Sequence, residues 1–216
     1  MRKLVSMVVE SSASAERQRN PRGEGARLRV EILAATRELL SDGEAVTLRS
    51  IARRANISAP AIYRHFADVD AVMAAVAEDA FAELTASLIA GQATTPVGHL
   101  RAVCEAYLSF AREKPQLYRV MFGGVWNAEI ALVTHPTEAQ RFRELGMNAF
   151  GVLVEAIRLC VADGSSASDD PRRDAGALWA GLHGFAELRQ TAPLFDWPAD
   201  VESTLINSLA KVSPSR

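Results

Sequence analysis

The chain has 216 residues, which is enough for one large domain or for a small domain joined to a larger one. Hydrophobic residues make up 49% of it and charged residues 23%, a composition typical of folded globular proteins and unlike that of disordered chains. No apolar run approaches the roughly 18 residues of a membrane-spanning helix. The apolar stretch near the N-terminus ends at Glu10 and is too short for a secretory signal, so we expect a cytoplasmic protein with no membrane partner.

The formal net charge of −2 hides an asymmetry along the chain. Residues 1–66 carry 12 Lys and Arg against 7 Asp and Glu, whereas residues 67–216 carry 12 against 19. The first segment is therefore at +5 and the second at −7. A basic end favours a polyanionic partner at that end only, although an ordinary solvated surface is the other interpretation.

The first predicted elements are a polar arm and a helix. Residues 1–24 are rich in Ser, Arg and Gly, and we expect them to be disordered. The arginines of this arm either contact phosphates or simply make the chain more soluble. From residue 26 to residue 40 the apolar residues recur at helical spacing, and Asp42-Gly43 ends this first helix.

Two short helices follow, over residues 47–55 and 58–66, with a tight turn between them. Thr47 and Ser58 are each expected to accept a hydrogen bond from an unpaired amide in the first turn of their helix. Asn56 stands in the turn and is one of the few residues besides glycine that tolerate positive φ. This spacing predicts a helix-turn-helix.

The second of these helices has an inner and an outer side. Ile62 and Phe66 are four residues apart and are predicted to point inward together, which leaves Tyr63 and Arg64 facing outward. An exposed aromatic residue beside an arginine on a short capped helix is typical of side chains that enter a DNA major groove. A pair of helices that only pack together would show the same spacing, so this alternative stays open at this point.

Residues 32–76 resemble the DNA-binding head of TetR-family regulators along their whole length. The matching features are the start at Ile32, Gly43 after the first helix, the Ile51-Ala52 pair and the Ile-Tyr-Arg-His-Phe run that ends at Phe66. The resemblance implies that the residues meeting the sugar-phosphate backbone are Thr47, Arg49, Ser58, Tyr63 and His65. It also implies that the residues nearest the bases are Ala59, Pro60, Ala61 and Arg64.

Two positions depart from the family pattern. Asn56 stands where glycine is usual, and its tolerance of positive φ makes this exchange acceptable. Val69 stands where many members carry a lysine that supports phosphate binding, so that contact is in doubt. Asp68 can still cap the helix that follows.

Beyond the head, the spacing predicts six further helices. They cover residues 69–89, 100–113, 114–122, 137–161, 172–190 and 200–211. A polar loop over residues 163–170 is expected to be mobile. We therefore expect an all-α chain of about nine helices: an arm over 1–24, a helix-turn-helix domain over 25–68 and a helical ligand-binding and dimerisation domain over 69–216.

The C-terminal half resembles a TetR subgroup that carries a tryptophan followed four residues later by His-Gly, here Trp179 and His183-Gly184. The segment 114–122 fits the same subgroup. In such proteins the last two helices form a four-helix dimer interface, which would use Leu182, Gly184, Leu188, Leu205, Ile206 and Leu209 here. Packing within one chain is the alternative explanation for these residues and for Gly181.

The remaining core contains enough aromatic residues to line a ligand cavity. The candidates are Tyr107, Phe110, Tyr118, Met121, Phe122, Trp126, Phe150, Trp179 and His183. Aromatic residues at helical spacing also form ordinary cores, and a buried histidine is commonly a packed one. An aromatic lining with few charges favours an apolar or amphipathic effector.

The usual motifs of an enzyme are missing from the sequence. The four histidines show no metal-binding spacing, and there is no phosphate-binding glycine loop or nucleophile elbow. Cys104 and Cys160 are expected to be buried thiols. We therefore expect no catalytic residue, no cofactor and no metal, and interpret the chain as a homodimeric transcriptional repressor that leaves its DNA operator when a small molecule binds. A helical DNA-binding or partner-binding module without a ligand is the alternative.

Overall fold

The computed structural model describes residues 24–91, 93–122 and 136–213; residues 1–23 of the predicted arm and Trp126 lie outside these ranges, and Glu24, the last residue of that arm, begins the first helix. Within them the chain forms nine helices and no strand, only one isolated bridge between Ser166 and Val212. The helices are α1 (Glu24–Ser41), α2 (Leu48–Arg54), α3 (Ala59–Ile62), α4 (Val69–Ala90), α5 (Pro96–Glu113), α6 (Pro115–Phe122), α7 (Pro136–Ala162), α8 (Pro171–Thr191) and α9 (Val201–Leu209). The predicted all-α class is confirmed. No helix in the described ranges combines the length and apolar character needed to cross a bilayer.

The N-terminal head packs α1, α2 and α3 around one small core. Ile32 and Leu39 of α1, Ile51 of α2, and Ile62 and Phe66 at the end of the head are all buried there. The predicted inward pair, Ile62 and Phe66, is therefore confirmed. Burial of such side chains stabilises the head by roughly 1.5–3 kcal/mol each, which holds the short α2 and α3 in place although neither is long enough to be stable alone.

The ends of α2 follow the predicted chemistry, whereas the start of α3 does not. The Thr47 hydroxyl accepts from the Ser50 amide at 3.0 Å, and the Ser50 hydroxyl accepts from the Thr47 amide at 2.9 Å, which completes a capping box. Asn56 has φ 53°, as predicted for the turn. Ser58 stands at the N-cap of α3 as predicted, but its side chain makes none of the expected hydrogen bonds to the first turn. The helix itself ends at Ile62, and residues 63–65 continue it as a turn.

The body is built around α4, which contacts α5, α6 and α7 and also reaches α1 in the head. The Asp68 carboxylate accepts from the Ala71 amide at 2.8 Å and so caps the helix as predicted. The next helix, α5, begins four residues earlier than predicted. Thr95 caps it by accepting from the Gly98 amide at 3.1 Å, and Pro96 fits the first turn, where no amide donor is needed.

The loop over residues 163–170 is tied down rather than free, which corrects the predicted mobility. The Ser166 hydroxyl donates to the Ala210 carbonyl at 2.7 Å, and the Ser168 hydroxyl donates to the Asp174 carboxylate at 2.6 Å. Lys211 adds an ion pair to Asp174 at 3.0 Å. The polar composition that predicted mobility instead provides the bonds that join this loop to the C-terminal end of the chain.

The left-handed backbone at Asn56 gives a first prediction. Asn56→Ala should lower the free energy of unfolding by about 1 kcal/mol, because a β-carbon without a compensating polar group is disfavoured at positive φ. Asn56→Gly is the matched control and should be as stable as the wild type or more so. Urea unfolding of the three proteins measures the difference, and equal stability of the alanine and glycine variants would contradict the assignment.

The buried Asp174 carboxylate gives a second prediction. Burial opposes its ionisation, but bonds from Ser168, Arg173 and Lys211 hold the pKa of Asp174 below its ordinary value. A lowered folded-state pKa stabilises the protein above the ordinary pKa, and this contribution is lost as the pH falls through the folded-state pKa. Asp174→Asn should therefore lower the free energy of unfolding by about 1–3 kcal/mol at neutral pH, because its amide would face the donors of Arg173 and Lys211.

Thermal unfolding of Asp174→Asn and wild type across the pH range measures this effect. The difference between them should shrink below about pH 4, where carboxyl groups of unfolded chains are protonated. Asp196→Asn, which changes an exposed carboxylate in the loop before α9, is the control and should leave the melting temperature unchanged. A pH-independent difference would show that Asp174 acts through packing and not through its charge.

Candidate functional site

The outer surface of the head is formed by the end of α3 and the turn that follows it. Tyr63 leaves 60% of its surface exposed although its neighbours Ile62 and Phe66 are buried, and Arg64 is exposed beside it. The Arg29 guanidinium lies 4.5 Å from the centre of the Phe66 ring and places another positive charge on the head. The predicted outward direction of Tyr63 and Arg64 is confirmed.

The predicted DNA-contacting residues divide by exposure. Exposed residues in this set are Thr47, Arg49, Ser58, Pro60, Tyr63 and Arg64. His65 and Ala59 are half-buried, and Ala61 is buried. Low exposure of the small Ala61 side chain does not test its predicted place nearest the bases, and that assignment remains a prediction.

The corner between α1 and α2 is held by ion pairs. The Arg54 guanidinium lies 2.8 Å from carboxylate oxygens of both Asp42 and Glu44, and Arg53 pairs with Glu44 at 3.2 Å. These pairs neutralise acidic side chains of the head at the side of α2. Arg49 and Arg64 are exposed on the same basic head.

A cavity of about 490 Å³ lies inside the body, between α4, α5, α6, α7 and α8. This volume is within the usual range for small-molecule sites. Its described walls are mostly apolar and consist of Phe81, Leu84, Leu88, Val103, Cys104, Tyr107, Phe122, Gly146, Met147, Ala149, Phe150, Leu153, Gly176, Trp179, Ala180 and Leu182.

Four of the aromatic residues predicted to line a cavity are in these walls: Tyr107, Phe122, Phe150 and Trp179. Tyr118 and His183 lie behind the wall, with the ring centre of His183 4.9 Å from that of Phe122. Phe110 and Met121 are buried in the core and do not line the cavity. The aliphatic residues of α4 and α7 that complete the walls have no distinguishing signal in the sequence, because the same helical spacing occurs in any packed core.

Two residues of the cavity wall, Tyr107 and Trp179, begin a chain of hydrogen bonds that continues to Tyr118 and His183. The Trp179 indole N–H donates to the Tyr107 hydroxyl at 3.2 Å, and this hydroxyl lies 2.8 Å from the Tyr118 hydroxyl. The Tyr118 hydroxyl lies 2.5 Å from Nδ1 of His183, and Tyr107 Oη lies 3.3 Å from the same nitrogen. Desolvation raises the pKa of Tyr107 to about 12 and also raises the pKa of Tyr118, so both hydroxyls keep their protons at neutral pH.

The last two helices show which of the predicted interface residues are accessible. Leu188 leaves half of its surface exposed, and a β-carbon at Gly184 would meet open space. Leu205 and Leu209 are half-buried against Gly181, where a β-carbon would lie 2.9 Å from the Leu209 side chain. Gly181 is therefore explained by packing within one chain.

Leu182 and Ile206 are almost fully buried inside the chain, so their assignment to the dimer interface is corrected. Both residues follow the apolar spacing of their helices, which marks a buried side but not the partner that buries it. Leu182 instead lines the cavity. The accessible part of the predicted interface consists of Gly184 and Leu188, with partial access to Leu205 and Leu209.

Comparison with known proteins places this arrangement in one family. Residues 32–76 match the family model of bacterial regulatory proteins of the tetR family, and residues 100–211 match the tetracyclin repressor-like C-terminal domain. Among proteins with curated functions, none matches.

Solved structures share the fold. A protein of unknown function from Rhodococcus sp. RHA1 is 27% identical, with a TM-score of 0.71 over 85% of this chain and 94% of its own. The TetR-family transcriptional regulator PfmR from Thermus thermophilus is 19% identical, with a TM-score of 0.61 over 82% of this chain and 94% of its own. A tetR-family regulatory protein from Rhodococcus is 16% identical, with a TM-score of 0.63 over 85% and 95% of the two chains. The exposed helix-turn-helix, the helical body and these matches together show that the chain belongs to the TetR family of transcriptional regulators.

Proposed function

We propose that the protein is a repressor that binds a palindromic operator as a homodimer and is released by a small, mainly apolar effector. The observation that carries the proposal is the exposed Tyr63-Arg64 pair. The buried residues on either side of it in the sequence, Ile62 and Phe66, hold this pair facing outward. Arginine donates to phosphate and guanine oxygens, and an exposed tyrosine can donate to the backbone. Ser58, Pro60, Thr47 and Arg49 extend this surface.

Homodimerisation is supported by the outer side of α8. Leu188 is half exposed, and Gly184 nearby has no side chain and no neighbour within 4 Å of an added β-carbon. A helix from a second copy could therefore pack closely at this place and bury Leu188. Two heads related by a two-fold axis would meet two half-sites, and this accounts for a palindromic operator.

Release by an effector is supported by the position of α6 between the cavity and the head. Phe122 at its end lines the cavity, and Lys114 just before its start pairs with Glu83 of α4. Glu83 also pairs with Arg37 of α1. A molecule that displaces α6 would thus shift the head, so that effector and operator oppose each other with the same coupling free energy.

Double substitution Tyr63→Ala with Arg64→Ala should weaken binding to the genomic fragments that the wild-type protein retains. We expect roughly a 10,000-fold loss, because each good contact to DNA is worth a factor of about ten and the dimer loses four of them, two in each subunit. Electrophoretic mobility shift measures the affinity, and circular dichroism should show unchanged helicity since both side chains are exposed. Arg119→Ala removes an exposed arginine of the body as a control, and an equal loss there would contradict the assignment.

Leu188→Glu should convert the dimer to monomers by placing a charge in the apolar interface. Light scattering is expected to report about 23.4 kDa for this variant and twice that mass for the wild type. Val30→Glu changes an apolar residue of the head that is even more exposed than Leu188, and it should leave the dimer intact. Dimers of Leu188→Glu at micromolar concentration would remove this face of α8 from the interface.

A further inference from the structure

Resting on the proposed function, we infer that the cavity selects a neutral hydrophobic alcohol or phenol whose hydroxyl group donates a hydrogen bond to Tyr107. The inference concerns the chemical class of the effector and is carried by two features of the cavity wall. These are the absence of charged side chains among its described residues and the direction of the hydrogen bonds that connect Tyr107 of the wall to Tyr118 and His183.

The described walls hold no Asp, Glu, Lys, Arg or His side chain. A carboxylate or an ammonium group bound there would lose its water shell without gaining a counter-ion, which strongly disfavours charged ligands. The guanidinium of Arg172 lies 5.5 Å from the centre of the Phe150 ring but is not part of the wall. The only hydroxyl among the described lining residues belongs to Tyr107.

The number of protons on these groups determines which group donates and which accepts in each hydrogen bond of the network. The Trp179 indole can only donate, so Tyr107 Oη accepts from it. If Nδ1 of His183 is the acceptor, Tyr118 donates to His183 and Tyr107 donates to Tyr118, and every hydroxyl proton has a partner. In the opposite direction His183 donates to Tyr118 and Tyr118 donates to Tyr107, which leaves the proton of Tyr107 without a partner among the described residues of the wall.

The first direction is therefore the resting state, because an unpaired buried donor is costly. In this state Tyr107 Oη has donated its proton and accepted one hydrogen bond, so one lone pair remains for the ligand. A ligand hydroxyl can donate to it without any rearrangement. A ligand with only an acceptor oxygen would require both tyrosine hydroxyls to reverse and the proton of His183 to move from Nε2 to Nδ1.

The shape of the wall favours a ring-containing ligand. Phe81, Phe122, Phe150 and Trp179 all line the cavity, with the Phe150 and Trp179 ring centres 6.2 Å apart and those of Phe122 and Trp179 6.1 Å apart. Rings at these separations offer edges and faces to an aromatic guest. A phenol with a second ring matches this wall and the position of Tyr107.

The test uses four probes that share the biphenyl framework and differ only in the group at its 4-position: 4-phenylphenol, 4-methoxybiphenyl, biphenyl and biphenyl-4-carboxylate. Isothermal titration calorimetry on the full chain should give 4-phenylphenol about tenfold tighter binding than 4-methoxybiphenyl or biphenyl, with the carboxylate weakest. Tyr107→Phe should reduce 4-phenylphenol to the affinity of biphenyl and leave the other probes unchanged. Tyr63→Phe, which removes a hydroxyl from the exposed head, is the matched control and should bind all four as the wild type does.

A second readout reports the direction of the network. The ¹⁵N spectrum of labelled histidine, with the His183 signals assigned by their loss in His183→Asn, should show Nε2 protonated in the free protein and with 4-phenylphenol. This measurement remains informative even if Tyr107→Phe fails to fold. A His183 ring protonated at Nδ1 in the free protein would overturn the inference.

The inference and the proposed function can fail separately. Tightest binding by biphenyl-4-carboxylate, or no binding of any probe, would overturn the inference even if the protein still binds its operator fragments in a mobility shift. Selective binding of 4-phenylphenol that leaves the operator complex intact would support the inference and count against release by an effector in the cavity.

Discussion

The structure depends on one stretch of α4 that is buried on all of its sides. Six consecutive residues, 72–77, are buried, so this stretch has no face toward water. A surface helix shows one apolar stripe, whereas a helix surrounded by neighbours is apolar all round. The alanines of this stretch and Ala80 keep those neighbours close, with α1 of the head on one side and α5, α6 and α7 of the body on the others. Because α4 packs against both cores, a change in the angle of the head would require the body to repack, and the proposed release by an effector rests on this shared helix.

Glu83 adds an electrostatic link to this shared core. Partial burial opposes its ionisation, but hydrogen bonds from Lys114 and Arg37 hold the pKa of Glu83 below its ordinary value. The carboxylate therefore remains charged and joins three elements: α1 through Arg37, α4 itself, and the junction of α5 and α6 through Lys114. Tyr118 and Phe122 extend the same junction to the hydrogen-bonded network and the cavity. Apolar packing and these ion pairs thus connect the same elements, α1, α4 and the junction of α5 and α6.

Most of the fold could be predicted from the sequence, because the residues that begin, continue and end a helix are neighbours in the chain. Apolar spacing gave the helices, and the caps at Thr47 and Asp68 and the left-handed turn at Asn56 follow from the chemistry of single residues. The errors share a different cause. The spacing of Leu182 and Ile206 predicts that they are buried, but it does not tell whether the same chain or a second subunit covers them. The loop over 163–170 looked mobile because its partners, Asp174 and the C-terminal end of the chain, are set by tertiary structure. The aliphatic part of the cavity wall was missed for the same reason.

The cavity and the surface proposed for a second subunit share one helix. On its inner side α8 carries Trp179, Leu182 and His183, and on its outer side Gly184 and Leu188. Trp179 lines the cavity yet leaves 40% of its surface exposed, so it reaches from the ligand site to the outside of the body. A ligand that moved its indole would stretch the bond to Tyr107 or tilt α8, and in the proposed dimer a tilt of α8 would change the angle between the two subunits. In that proposed assembly the distance between the two heads would depend on the occupancy of both cavities, even if each head stayed rigid on its own α4.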